Sequence, residues 1–272
     1  MMRVRVSLVL LGAAVASSGA LRTAGGFDHS YTQYAEALRY VRPPLVDYAA
    51  LKADRGVLDR AVAEFAEPAA ADETQWTREQ RMAFWINAYN AFTLRVIVDH
   101  HPIRSGWFTL QPRNSIRQID GVWTDRTWQA AGRTLALDDI EHTILRPTFE
   151  DARIHFAVNC ASISCPPLDR RPYLPETLDT QLNDAARAYL ASPEGLRVEG
   201  TTLRVSSIFK WYGDDFVAQY ASAAPSAPTA AERGILGVIM RFGSSDAAQL
   251  ARSGRARVRF LDYNWSLNDV GR

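Results

Sequence analysis

Both cysteines of this 272-residue chain, Cys160 and Cys165, fall in one run, RIHFAVNCASISCPPL over residues 153–168, which also holds His155, one of only five histidines. A cysteine becomes a nucleophile as its thiolate, when a nearby imidazolium or a helix amino terminus lowers its pKa from about 8.5. Such a sulfur attacks a carbonyl or a disulfide. Either Cys160 or Cys165 fits that role, with His155 or His142 as the base and Glu141 orienting the histidine. Asn159, or the amides of residues 161–164, would stabilise an oxyanion. A competing reading needs no chemistry: a Cys160–Cys165 disulfide would close a very short loop and contribute at most about a few kcal/mol. In a third, the cysteines join His142 and His155 around a metal. Cys-x4-Cys followed by Pro166-Pro167 lacks the second ligand pair of such sites, so neither a metal nor another cofactor is expected.

An element must present these groups, and the apolar stretch before Cys160 reads as a β-strand that runs into a loop of small residues. Alternation puts His155, Ala157 and Asn159 on one face and Ile154, Phe156, Val158 and Cys160 on the other. On a regular strand His155 and Cys160 would then lie about 16 Å apart. A dyad requires either that the loop return Cys165 to His155 or that a base such as His142 reach Cys160 from another segment.

Residues 1–20 have the form of a secretory signal: two arginines in the first five positions, an apolar stretch of about a dozen residues, then Ser17-Ser18-Gly19-Ala20 as a cleavage site. The stretch is shorter than the roughly 20 residues that span a bilayer. The expectation is a periplasmic or secreted protein, with residues 21–272 as a single domain and no integral membrane segment after cleavage. A formal charge of +1 without a long basic run argues against a nucleic-acid partner. Two cysteines are too few for a disulfide-dense scaffold.

The strongest element is a helix over residues 78–100, capped by Thr77, whose middle is apolar all round and so must be buried. Asn87 and Asn90 share a face of it; buried, they need partners, either loops tied to the helix or a catalytic group or oxyanion to orient. Two helices are expected over residues 31–62, with Pro43-Pro44 between them, and a loop over 67–72. Residues 103–133 read as irregular with short strands and the aromatics Trp107, Trp123 and Trp128. A short helix over 137–145 would stop at Pro147, with Asp138 and Glu141 as a capping box. After the cysteines come a helix over 175–190, a hairpin over 196–205, an aromatic and acidic cluster over 208–216, a low-complexity loop over 221–231, a helix over 232–242 and a last strand over 257–267. Trp211, Tyr212 and Asp215 in the cluster serve packing or a peptide or sugar ligand.

Five motifs in order, FWINAYNA at 84–91, the Ile140-Glu141-His142 segment, residues 155–168, residues 207–216 and DYNWSLND at 262–269, together resemble the family called domain of unknown function 547. The resemblance extends over the whole mature chain. The family has no settled activity. Its grouping with papain-like thiol peptidases implies an α+β fold in which a central buried helix packs on an antiparallel sheet with additional helices. It carries Glu141, His142, His155, Asn159, Cys160 and Cys165 onto motif positions. The motif also occurs in intracellular members, where disulfides are uncommon, which favours a functional thiol. One departure stands out: papain-like enzymes open the central helix with the nucleophilic cysteine, and here that helix carries Asn87 and Asn90 and no cysteine. The expected activity is a thiol-dependent hydrolase or acyltransferase on peptide or cell-wall amide bonds. The alternative is a non-catalytic domain that binds a peptide or small molecule, with the cysteines bridged.

Overall fold

The computed structural model describes residues 26–104, 111–225 and 227–271. The expected signal peptide and Trp107 lie outside them. Helix α1 (Thr32–Ala37) is followed by a two-strand clip, β1 (Val41–Arg42) and β2 (Leu45–Val46), then α2 (Tyr48–Ala53), α3 (Arg55–Ala66) and the single turn α4 (Ala70–Glu73). Pro43-Pro44 thus sits in the turn of a minimal hairpin, and three helices stand where two were expected. The long helix α5 (Arg78–His100) has the expected bounds. Thr77 accepts the Gln80 amide while Gln80 accepts the Thr77 amide, closing a capping box that satisfies two of the free donors of the first turn.

From Met82 to Leu94 every residue of α5 is buried, polar ones included. Its principal neighbours are α2, α3 and the helical segment at Asp139–Leu145. One sheet contact is notable: Trp128 of β3 (Thr127–Ala130), which pairs with β4 (Arg133–Ala136), stacks on Phe92 at 5.2 Å. The fold is therefore mixed α and β with small sheets, and the expected antiparallel sheet under the central helix is replaced by helices. The apolar surface of α5 runs all round, and a flat sheet covers only one side of a helix, whereas several helices surround it.

Residues Asp139–Leu145 form a π-helix that runs into α6 (Arg146–Phe149). The expected capping box is absent: Asp138 is already helical with no side-chain cap, and Asp139 accepts the Ala136 amide instead. Pro147 does not end the helix; it is the second residue of α6. Ala152–Phe156 is a 3₁₀ helix, not a strand. Its Asp151 caps the Arg153 amide, and two-faced alternation therefore does not govern the placement of His155.

Beyond the cysteines lie α7 (Leu178–Ala191), the hairpin β5 (Leu196–Glu199) and β6 (Thr202–Val205), α8 (Ile208–Trp211), α9 (Gly213–Tyr220), α10 (Ala230–Phe242), α11 (Ser245–Arg252) and β7 (Arg257–Phe260). Gly200, at φ 59°, makes the hairpin turn. Strand β7 joins β6 in parallel, pairing Leu203 with Val258, and α8–α11 form the crossover that a parallel pair requires. Two apolar clusters result, one around α5 and one around α7, α10 and the β5–β6–β7 sheet. The 3₁₀ helix joins them, since Ile154 belongs to the first and Phe156 to the second.

Helix α10 lies on α9 through glycine. A Cβ at Gly237 would stand 2.1 Å from the Tyr220 carbonyl oxygen, and one at Gly234 would stand 2.9 Å from the Val217 amide nitrogen. Because backbone cannot yield as a side-chain tip does, Gly237→Ala should lower stability by about 1–3 kcal/mol. Urea unfolding of the purified variant against the wild type measures this, and a loss under about 0.5 kcal/mol would contradict the close packing.

Candidate functional site

The site is built from the polar needs of α5. Asn90, 1 % exposed, donates to the Ala157 carbonyl at 2.9 Å and accepts the Asn159 amide at 2.8 Å. Asn87 does the same for both backbone groups of Tyr173, at 2.8 and 2.9 Å. These amides tie loops to the helix, and neither asparagine lines the cavity described below. The expected substrate contacts at Asn87 and Asn90 give way to this structural role.

Asn159 continues the chain of bonds. Its side chain donates to the Pro166 carbonyl at 2.7 Å and accepts the Ala161 amide at 2.8 Å, holding together the two ends of the cysteine loop. It is buried, so the expected oxyanion role does not fit its position. The loop amides are engaged as well: Ile163 donates to Ser266, Ser164 to Asn264 and Cys165 to Ser162. Ala161 takes φ 58°, a left-handed conformation that costs a non-glycine residue about 1 kcal/mol or more and persists only where the surroundings enforce it. Here they do, because the Ala161 carbonyl accepts the Asn268 amide and Ser162 pairs with Leu267 of the carboxyl-terminal segment.

The loop brings the two sulfurs to 2.9 Å, both as free thiols. The Cys160 amide donates to Cys165 Sγ at 2.9 Å, Ser162 Oγ lies 3.2 Å from Cys160 Sγ and the Tyr263 hydroxyl 3.3 Å from it. The hydrogen bond from Cys165, against the opposing effect of burial, and those from Ser162 and Tyr263 lower the Cys160 thiol to about 7. Burial, together with the neighbouring Cys160, pushes Cys165 well above the usual thiol range. Cys165 therefore keeps its proton and donates it. Burial also raises Tyr263, as does the charge of Cys160, so its hydroxyl stays a donor. Among the described residues no histidine is a hydrogen-bond partner of Cys160.

Cys160 opens onto a cavity of about 350 Å³ at the seam between the two apolar clusters. One side carries Glu141, His142, His155 and Tyr212; another carries Arg117 with Trp123, Trp211, Tyr263 and Trp265. His155 is fully buried, stacked on Tyr212 at 3.9 Å, with Nε2 2.7 Å from Asp215 Oδ2. Asp215 in turn accepts from Arg146 at 2.7 and 3.1 Å. Burial opposes its ionisation, yet the bonds from His155 and Arg146 hold the carboxyl well below the usual range, so it is a carboxylate and His155 carries its proton on Nε2. Nδ1 is then the free ring atom. It is buried without a partner, 4.0 Å from Glu141 Oε1.

Glu141, expected at a helix cap, is instead buried beside His155 and Tyr212. Burial, then the Glu141 charge, raises the Tyr212 hydroxyl. His142 is 40 % exposed and accepts from Arg146 at 3.1 Å. Tyr212 and Asp215 stand with the histidine rather than apart as a ligand platform, whereas Trp211, 46 % exposed, packs with Tyr263 and Trp265 in the cavity lining. Sequence reasoning missed Arg146, Arg117, Ser162 and Tyr263 as site residues. Tyr263 and Trp265 lay in the closing DYNW motif, whose aromatics were the available signal; the arginines gave none. No group of three or more His, Cys, Asp or Glu among the described residues is placed to hold a metal.

Residues 73–190 match the model of the family described as "Protein of unknown function, DUF547", which supports that family for this chain. That stretch runs from the end of α4 through α7 and includes both cysteines, the π-helix and His155. No curated protein and no solved structure matches.

Alkylation should label Cys160 alone, with a rate that rises with pH through a midpoint of about 7 as the thiolate forms. Cys165→Ala removes the main donor to that thiolate and should move the midpoint upward, to about 8.5 or beyond. Peptide-mapped labelling by iodoacetamide between pH 5 and 10 measures both, and equal labelling of the two cysteines would contradict the assignment.

Proposed function

We propose that this protein is a thiol-dependent hydrolase or acyltransferase acting on amide bonds, with Cys160 as the nucleophile. The observation that carries the reading is that a low-pKa sulfur and a histidine bonded through Nε2 to a carboxylate line one cavity. At neutral pH a thiol lowered to about 7 is substantially ionised without a base in contact with it. The histidine is thereby left for the second proton requirement of amide cleavage, protonation of the leaving amine.

The Cys160 thiolate attacks the substrate carbonyl carbon, forming a C–S bond. The proton that Cys160 gives up on ionising rests on His155 Nδ1, and the C–N bond breaks as this imidazolium passes it to the leaving amine, so that a thioester, a free amine and a neutral His155 remain. Asp215 stabilises the imidazolium through Nε2, and Glu141 lies on its Nδ1 side. Water, or an acceptor amine in a transferase, attacks the thioester, returns its proton to the histidine and frees the thiolate. The distant papain-like relationship belongs to the same reading, as does export to the periplasm or medium, where peptide and cell-wall amides are the accessible substrates. Among the described residues no helix is long and apolar enough to cross a membrane.

The 2.9 Å separation of the sulfurs favours a second reading, a non-catalytic peptide- or small-molecule-binding domain in which Cys160 and Cys165 are bridged. Mass spectrometry of the reduced protein after incubation with p-nitrophenyl acetate separates the two. The expected result is one acetyl group on Cys160, absent in Cys160→Ser, with turnover of the adduct slowed about 10²-fold or more in His155→Gln and Asp215→Asn. Absence of an adduct from the reduced wild type would reject the enzyme reading. An untreated mature protein two hydrogens lighter than its reduced form would support the bridge.

A further inference from the structure

We propose that Arg117 and the aromatic wall beside it form a subsite for a carboxylate on a small apolar acyl compound, such as the free carboxyl end of an N-acylated amino acid or short peptide. Arg117 is exposed and its guanidinium lies 4.8 Å over the ring of Trp265. Among the described residues it has no carboxylate partner, while Arg146, the other arginine near this site, is committed to Asp215. A guanidinium held over an indole face by cation–π attraction keeps N–H groups free, and its fork matches the two oxygens of a carboxylate.

The wall supplies the apolar half. Trp211 stacks near-parallel on Trp265 at 5.6 Å, and Tyr263 packs against both, at 4.7 and 4.6 Å. An indole as exposed as that of Trp211 inside a cavity is surface waiting for a ligand face. Tyr263 also touches Cys160, so a ligand on the wall reaches the sulfur. The cavity also holds Asp138 and Glu141, and acids in the same enclosure select a singly charged carboxylate over a more highly charged phosphate.

The substrate class rests on the thiol reading, but the subsite does not require chemistry, so binding is measured in the Cys160→Ser protein. The probes are N-acetyl-phenylalanine and N-acetyl-phenylalaninamide, alike in shape and differing in the carboxylate, followed by quenching of tryptophan fluorescence. The acid should bind at least tenfold more tightly than the amide. Arg117→Gln, a change at an exposed position, should bring the two within about twofold, and Trp211→Ala should weaken both. Equal binding of acid and amide, no binding of either, or a preference that survives Arg117→Gln would each overturn the proposal. Equal binding of N-acetylglucosamine by Cys160→Ser with and without Arg117→Gln, without an acid preference, would make the wall a neutral sugar platform. None of these outcomes bears on whether Cys160 is acylated, which the p-nitrophenyl acetate experiment reads separately.

Discussion

An asparagine amide buried in an apolar interior must find partners for both its ends, and on α5 that requirement shapes everything near the cysteines. Asn90 bonds on either side of Val158, at the Ala157 carbonyl and the Asn159 amide, and so fixes the path by which the chain enters the loop. Asn159 repeats the device one step on, joining Ala161 to Pro166. The loop is thereby held at both ends before any side-chain chemistry enters. Its geometry, including the left-handed Ala161 and the approach of the two sulfurs, follows from satisfied backbone groups.

The electrostatics of the cavity follow from what is left ionised. Cys160 gathers donors, so its charge is stabilised in place, and the tyrosines at its side stay protonated because burial forbids a second charge. Asp215 remains a carboxylate because Arg146 and His155 both donate to it. Glu141 is the acid without a cation in hydrogen-bond contact, 4.0 Å from the free edge of His155. The His155 ring thus lies between Asp215 on its Nε2 edge and Glu141 on its Nδ1 edge.

The carboxyl-terminal segment closes the site from a distance in sequence. Leu267 pairs with Ser162, Asn268 donates to Ala161 and accepts from Val46 and Tyr48, and Asp269 lies beside Val46 and bonds His101. One irregular stretch thus links the cysteine loop to the amino-terminal helices while Tyr263 reaches the sulfur and Trp265 supports Arg117. His101 and His29 are half-buried in such contacts, the latter against Phe27 and Trp76.

By itself the sequence determined the elements whose signals are local. Helix α5 has its capping pair and unbroken apolar middle, the β5–β6 hairpin has its glycine turn, and α7 and α10 have their amphipathic spacing. The sequence also placed candidate site residues in one segment, because both cysteines and His155 are close along the chain. It misjudged residues 152–156, where Ala, Ile and Phe alternate with Arg and His as they would in a strand, whereas the chain forms a 3₁₀ turn whose Arg153 amide is capped by Asp151. The tertiary structure alone decided which residues meet. The pairing of His155 with Asp215 spans 60 positions, and the approach of Tyr263 to Cys160 spans 103. Such contacts arise from how packed elements are oriented, which no spacing encodes. A buried glutamate beside a histidine and an unpaired arginine on a tryptophan look in sequence like any other surface charges.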